Sequence, residues 1–282
     1  MPGIQHVLFI DESGSGGATA GRSTARTCES IWVTVGVLIP WDRLDEAEAT
    51  LENVKVGCFK PGTREIKGRY VKRDLLPGVS EASALAQLAG IAPGVEGSVW
   101  VAACAPPCDP HARYPAAATD PRAIARHLLI DRVNGMAGSR PFDRSSWLIV
   151  CDLSNSADLA QFSSTVTGFT EAIANRPRSK VIHPELLGAT SERWPAIQIA
   201  DVFGFYARHA LGAKLHIPRA RWETTEMFID HLYPSLKRSG SGSVVGWAPW
   251  PSGSVRAAAA AGQPDVPVIP ADYGAFRKMR RL

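Results

Sequence analysis

Cysteine is sparse in this 282-residue chain: there are five, at 28, 58, 104, 108 and 151, an odd number scattered over a length that needs no covalent staples. A disulfide framework is therefore not expected. Long hydrophobic runs are missing too. No segment approaches the roughly 18 to 20 apolar residues of a membrane span. The first apolar run, Val7 to Ile10, is short and is interrupted by Asp11, so no secretory leader is expected. The expected address is the cytoplasm, with no membrane partner. Zinc-type ligand sets are lacking as well. "CAPPCDPH" brings Cys104, Cys108 and His111 close together, but a structural zinc site needs four ligands, and no second Cys/His pair lies at a suitable distance. Strong charge of one sign is also absent. The formal net charge of +4 permits a polyanionic partner without requiring one.

What is present is ordinary globular usage, 45% apolar and 21% charged, so the bulk of the chain should fold around a core. The length suits one large domain. "VLFI", Val7 to Ile10, and "SIWVTVGVLIP" read as strands, the second ended by Pro40. Between them lies a Gly/Ser/Thr/Ala-rich loop, whose "GSGG" lacks the spacing of a phosphate-cradling loop. Leu44, Ala47, Leu51 and Val54 recur at helical spacing and predict an amphipathic helix over 41–56. A basic stretch containing "EIKG" follows at Glu65 to Gly68, then a helix over 81–91, a strand "SVWVAAC" over 98–104 and a helix over 121–136 that begins at Pro121. "SSWLIVCDLS" repeats the opening pattern, an apolar strand ending in Asp152. A helix over 157–175, a short strand "KVIH" over 180–183, and helices over 191–212 and 219–236 complete the pattern. Ser191 reads as the cap of the first of these last two helices and Gly212 as its stop. This order indicates an α/β mixed sheet flanked by helices, with an antiparallel hairpin before the parallel part. Residues 1–238 are expected as the domain. Residues 239–282, rich in Gly, Ser, Pro and Ala with a basic end, are expected as a flexible C-terminal tail.

Four acids fall where a sheet-based metal site could assemble: Asp11 and Asp152 at strand ends, Glu65 in the basic connector and Asp201 on a helix. Ligands of α/β sheets collect at the carboxyl ends of strands. On the helix, Gln198, Asp201, Phe205 and Arg208 form one stripe, while Ala200, Phe203, Ala207 and Leu211 form an apolar one. Clustered carboxylates without a His/Cys set favour a hard cation, magnesium or manganese. Two such ions about 4 Å apart suit phosphoryl transfer. For any one of these acids, a plain turn or cap role is the alternative. Because side chains alternate along a strand, only one of Asp11 and Glu12 can face a given crevice, and Asp11 is the expected ligand.

"FIDESG", "EIKG", an apolar strand ending in Asp and "IQIAD" occur in an order that resembles the bacterial family catalogued as domain of unknown function 3800. That family is regarded as having a ribonuclease H-like fold. The resemblance implies an acidic metal site built from Asp11, Glu65, Asp152 and Asp201, with Glu12 as a neighbour. It places Lys67 beside the site to hold a phosphate or neutralise charge, and Gln198 to orient substrate or a water. Asp131 is the rival to Asp152. His183 could shuttle a proton, whereas a satisfied loop histidine is the plainer reading. Ser13 and Arg208 are further candidates for contact near the site. Lys60, Arg64, Arg69, Lys72 and Arg73 around Glu65, and the basic end of the tail, could dock a phosphate backbone or form a solvated face.

The expectation is a ribonuclease H-like α/β domain acting as a magnesium- or manganese-dependent nuclease on RNA or DNA through a metal-activated water. The alternatives are a non-catalytic nucleic-acid-binding or assembly module with the same site, with a protein partner or a second copy of the chain, or a phosphohydrolase acting on a small nucleotide.

Overall fold

Two alternating apolar faces on the first strands set the architecture. In the computed structural model, which describes residues 4–14, 31–104, 122–133 and 160–164 in part, 146–152, 182–214 except 193, and 221–250 except 243, Ile4–Ser13 forms β1 and Trp32–Pro40 forms β2. The two pair antiparallel, from His6 opposite Pro40 to Ser13 opposite Val33. β3, Ser98–Cys104, extends this meander antiparallel to β2. On the other side of β1 lie β4, Ser146–Asp152, and β5, Ile182–Ala189, each parallel to its neighbour. With β6, Trp247–Trp250, parallel to β3, the six-stranded order is β5-β4-β1-β2-β3-β6. The α/β mixed sheet flanked by helices and the opening antiparallel hairpin are both as expected.

The period-2 pattern of the strands divides the core in two. Val7 and Phe9 of β1, Val33, Val35 and Val37 of β2, and Leu148 and Val150 of β4 face one cluster. Against it pack α1, Leu44–Cys58, α3, Glu81–Gly94, and α6, Ala196–Lys214. α1 does so because Leu44, Ala47, Leu51, Val54 and Cys58 return to one side at intervals of three or four. α3 is capped by Ser80, whose side chain accepts the Ser83 N–H at 3.1 Å. Leu8, Ile10, Leu38, Trp100, Ile149 and Cys151 face the opposite cluster. That side is covered by the helical residues within 122–133 (α4), among them Leu129, Ile130 and Val133, and by Phe162 from the helical residues within 160–164 (α5). Burying each large apolar side chain contributes about 1.5–3 kcal/mol.

Several expected boundaries shift, each for a local reason. β1 continues through Asp11 and Glu12 to Ser13 because β2 supplies pairing partners that far. β5 begins later than expected and runs to Ala189, so His183 and Pro184 lie inside it. A proline is tolerated on this edge strand, and the pairing with β4 is irregular between Trp147 and Ile149. Ser191 does not cap α6. Ser191 and Glu192 lie in a turn, the Trp194 N–H bonds to the Thr190 carbonyl, and the helix starts after Pro195, which suits a first turn because it has no N–H to satisfy. Gly212 does not stop α6, which continues to Lys214 with Gly212 buried. The helix expected over 219–236 narrows to α7, Trp222–Met227, then a π turn, Phe228–Leu232, and a 3-10 turn, Tyr233–Ser235, that contains Pro234.

The expected tail is corrected in part. The Lys237 N–H bonds to the Val99 carbonyl, Val245 and Gly246 bond back to Lys237, and residues 247–250 join the sheet as β6. Residues 251–282, the Gly/Ser-rich loop after Gly14, Cys108, His111 and Asp131 lie outside the described residues. Among the described residues no helix is long and apolar enough to cross a membrane.

Candidate acidic centre at the strand ends

Parallel pairing of β1 and β4 ends at Ile10 opposite Cys151, so Asp11 and Asp152 are the next residues on two neighbouring strands. The pleat sends both toward the face that packs α6, because Phe9 and Val150 point there. α6 delivers Asp201 to the same place. Its Phe203, Ala207 and Leu211 are buried in the core, and Asp201 emerges at the edge of that packed stripe, half-buried.

The EIKG segment closes the site through its backbone. The Gly68 N–H donates to Asp201 Oδ2 at 2.8 Å, and the Ile66 N–H donates to Gln198 Oε1 at 3.0 Å. Gly68 has to be a glycine: a Cβ there would lie 2.5 Å from Phe205 Cβ and 2.9 Å from the Asp201 carbonyl. The other end of the Gln198 amide donates to the Ser191 carbonyl at 2.8 Å. Gln198 is almost wholly buried with both ends on backbone. It is thus a clamp between residues 66 and 191, which corrects the expectation that it faces substrate or water.

With the segment fixed, Lys67 reaches into the acids. Its Nζ lies 2.5 Å from Glu65 Oε1 and 4.0 Å from Asp152 Oδ2. Glu65 also accepts the Ser191 hydroxyl. Burial pushes the Asp11 carboxyl well above the usual carboxylate range, and the negative charges of Asp201 and Asp152 push it further. Burial also raises Asp201, although the Gly68 N–H and Lys67 oppose the rise. Asp11 and Asp201 hydrogen-bond each other, which requires a proton between them. Asp152 is raised by burial against the pull of Lys67. For Lys67, burial disfavours the ammonium, but the hydrogen bond it donates to Glu65 and the charges of Asp201, Glu65 and Asp11 outweigh it, and its pKa is raised.

The five expected residues Asp11, Glu65, Lys67, Asp152 and Asp201 therefore converge at the carboxyl ends of β1 and β4. The donor set is all oxygen, which fits a hard divalent cation in kind. As they stand, no group of three or more His, Cys, Asp or Glu side chains among the described residues is arranged around a metal position. Lys67 and the shared proton compensate the acids instead. Ser13, at the end of β1, packs against α6 where Gly204 leaves room: a Cβ at Gly204 would stand 3.1 Å from Ser13 Cβ. Arg208 lies seven residues beyond Asp201, about 10 Å along the helix, with its Nε buried and without a hydrogen-bond partner among the described residues. His183 is corrected: it stands near the start of β5, whereas Asp152 pairs with Ala189 at the far end, about 20 Å away along the strand.

No protein-family profile matches the chain, and no curated protein matches it. Among solved structures, an RNase HIII described as Bst-RNase HIII in complex with Mn2+ is similar at a TM-score of 0.36 and 12% identity, covering 94% of this chain and 66% of that one. A glutamine-to-alanine variant of the same enzyme is similar at a TM-score of 0.36 and 12% identity, covering 94% of this chain and 65% of the other. This chain thus spans just under two thirds of their length.

Three residues at this end of the sheet were not singled out from the sequence. Ser191 was read as a cap, and its partnership with Glu65 depends on a contact 126 residues apart. Arg122 and Arg126 lie on the other face, where they bind Glu12. Arg126 donates through Nε to Glu12 Oε1 at 2.6 Å and through Nη2 to Oε2 at 2.8 Å, and Arg122 Nε donates to Oε2 at 2.8 Å. Their spacing of four on a helix was the one available signal. The division expected for the acid pair holds: Asp11 turns to the crevice and Glu12 away from it.

Proposed function

We propose that the chain is a divalent-metal-dependent nuclease of ribonuclease H-like type, hydrolysing phosphodiester bonds of RNA or DNA. The observation that carries this reading is the convergence of Asp11, Glu65, Asp152 and Asp201 around Lys67 at the strand ends. The order of FIDESG, EIKG and IQIAD, with its resemblance to the domain of unknown function 3800 family, supports it. In this reading Asp11, Glu65, Asp152 and Asp201 hold two magnesium or manganese ions. When bound, such ions lower the pKa of a nucleophilic water and stabilise the attacking and leaving oxygens. The protein's own groups do the rest. Asp11 and Asp201 release their shared proton as the cation enters. Lys67 turns from Glu65 to the scissile phosphate and neutralises charge there. Gln198 and Gly68 keep the EIKG segment against α6.

The approach to the site is basic. Arg69 and Arg73 lie 4.4 Å and 3.8 Å from the Tyr70 ring centroid, and Lys72 pairs with Glu223 at 3.8 Å on an exposed surface. Nucleic acid is the partner this rim suits. Labelled single- and double-stranded RNA, DNA and hybrid, incubated with manganese, magnesium or chelator, test the reading. Cleavage that needs the ion and vanishes in Asp11→Asn supports it, whereas cleavage unchanged by Asp11→Asn ends it.

A second reading draws on one observation: Lys67 already sits where a cation would compensate Glu65 and Asp152. A nucleic-acid-binding module without turnover would bind in a salt-sensitive way and release no products with any of these ions.

A further inference from the structure

The buried pair behind the site raises the question of what Glu12 does. Its carboxylate is shared by two guanidiniums: Arg126 is fully buried and grips it by two nitrogens, Arg122 adds a third contact, and the Thr34 hydroxyl stands 3.5 Å away. The aromatic walls are Phe162 under Arg126, at 4.7 Å, and Trp32 under Arg122, at 5.0 Å. Arg126 Nη1 is buried with no hydrogen-bond partner among the described residues. A buried ion pair with an orphaned donor is a poor source of stability, because apolar residues of the same volume often do as well. Its location gives it another use. Among the described residues the parallel pairing of β1 with β4 ends at Ile10, and Asp11, Glu12 and Ser13 pair with β2 alone. Glu12 is the residue of that overhang that is tied to the opposite layer, and it is peptide-bonded to Asp11.

We infer that Glu12, locked by Arg126 and Arg122, is a positioning residue that pins the overhanging end of β1 to α4 and so fixes where Asp11 presents its carboxylate to Asp152 and Asp201. The two acids of FIDESG then divide the labour: Asp11 faces the crevice, and Glu12 anchors it from behind. The inference rests on the acidic centre being a cation site, and its test separates the two.

Amide hydrogen exchange at residues 11–13 and manganese binding by calorimetry are measured on the full chain for wild type, Glu12→Gln, and the combined Glu12→Gln/Arg126→Gln variant, which removes both buried charges and leaves the partly exposed Arg122 as the remaining cation. Exchange at 11–13 is expected to quicken in Glu12→Gln, with manganese affinity about tenfold or more weaker, the range of lost supporting contacts at metal sites. The combined variant is expected to recover melting temperature without recovering manganese affinity. A merely structural pair would let both return together. Wild-type exchange and affinity in Glu12→Gln, or full recovery of affinity in the combined variant, overturns the inference. Should Glu12→Gln not fold, the combined variant alone decides. If wild type binds no manganese, the cation reading fails, and the exchange at 11–13 still tells whether Glu12 holds the strand end.

Discussion

Two adjacent residues of β1 look out on opposite chemical worlds. On the α6 side, four carboxylates gather around one ammonium, and burial, with the charges of Asp201 and Asp152, pushes the Asp11 carboxyl well above the usual carboxylate range. On the α4 side, one carboxylate lies between two guanidiniums. The difference teaches that the pleat, not the residue type, assigned these acids their roles. One face has a surplus of negative charge that calls for a cation; the other has its charge already answered. Structures under pressure only to be stable have little use for the first arrangement.

The comparison breaks most sharply at Asp11. Asp11→Asn or Asp201→Asn is expected to lower metal-dependent cleavage by about 100-fold or more, as loss of a group that holds transition-state charge does, measured as product release with manganese. The same change is expected to raise the melting temperature at neutral pH. The sign follows from the raised pKa: the folded state prefers a protonated Asp11, so that stability is present at low pH and lost as pH rises through the folded value. An asparagine, always neutral, escapes the loss.

On the other face the sign reverses. Arg126→Met leaves Glu12 buried with one guanidinium fewer, and a loss of about 3–5 kcal/mol is expected from urea unfolding. Equal stabilities for Asp11→Asn and Arg126→Met would abolish the distinction between the faces. A smaller effect is expected at the hinge between them and α6. Gly68→Ala forces a Cβ into Phe205 and the Asp201 carbonyl and should cost about 1–3 kcal/mol in urea unfolding, with weakened manganese binding because the Gly68 N–H leaves Asp201.

The smallest effect concerns a histidine outside both clusters. Burial, then the charges of Arg208 and Arg221, lower the His209 pKa to about 4, below its ordinary 6.5. The unfolded chain then binds a proton that the folded chain refuses, so stability falls as pH drops through 6.5 toward about 4. His209→Gln should flatten that part of the profile of melting temperature against pH.

Much of the fold was legible because hydrophobic periodicity is local. The spacing of Leu44, Ala47, Leu51 and Val54 shows in α1, and the alternation along β1 placed Asp11 and Glu12 on different sides. The sites of Asp11, Asp152 and Asp201 could be read because each follows or rides on a strongly apolar element. What could not be read was pairing at a distance. Nothing near Ser191 says that its hydroxyl serves Glu65, nothing near Gln198 says that its amide is consumed by residues 66 and 191, and nothing after Lys237 says that four residues will find an open edge beside β3. The helix boundaries at Ser191 and Gly212 were misread because cap and stop residues are weak signals where tertiary packing continues the helix.

The scatter of the acids along the chain has a consequence for timing. Asp11 and Glu65 come early in the chain, whereas Asp152 reaches them through the pairing of β4 with β1, and Asp201 through the packing of α6 on the sheet. Such distant closures come late in folding, since each must first overcome the entropy of a long intervening loop. A chain halted after β4 owns three of the four carboxylates but lacks α6, which helps to bury them. The centre is in this sense a certificate of long-range assembly: its four acids meet only once α6 packs over the strand ends.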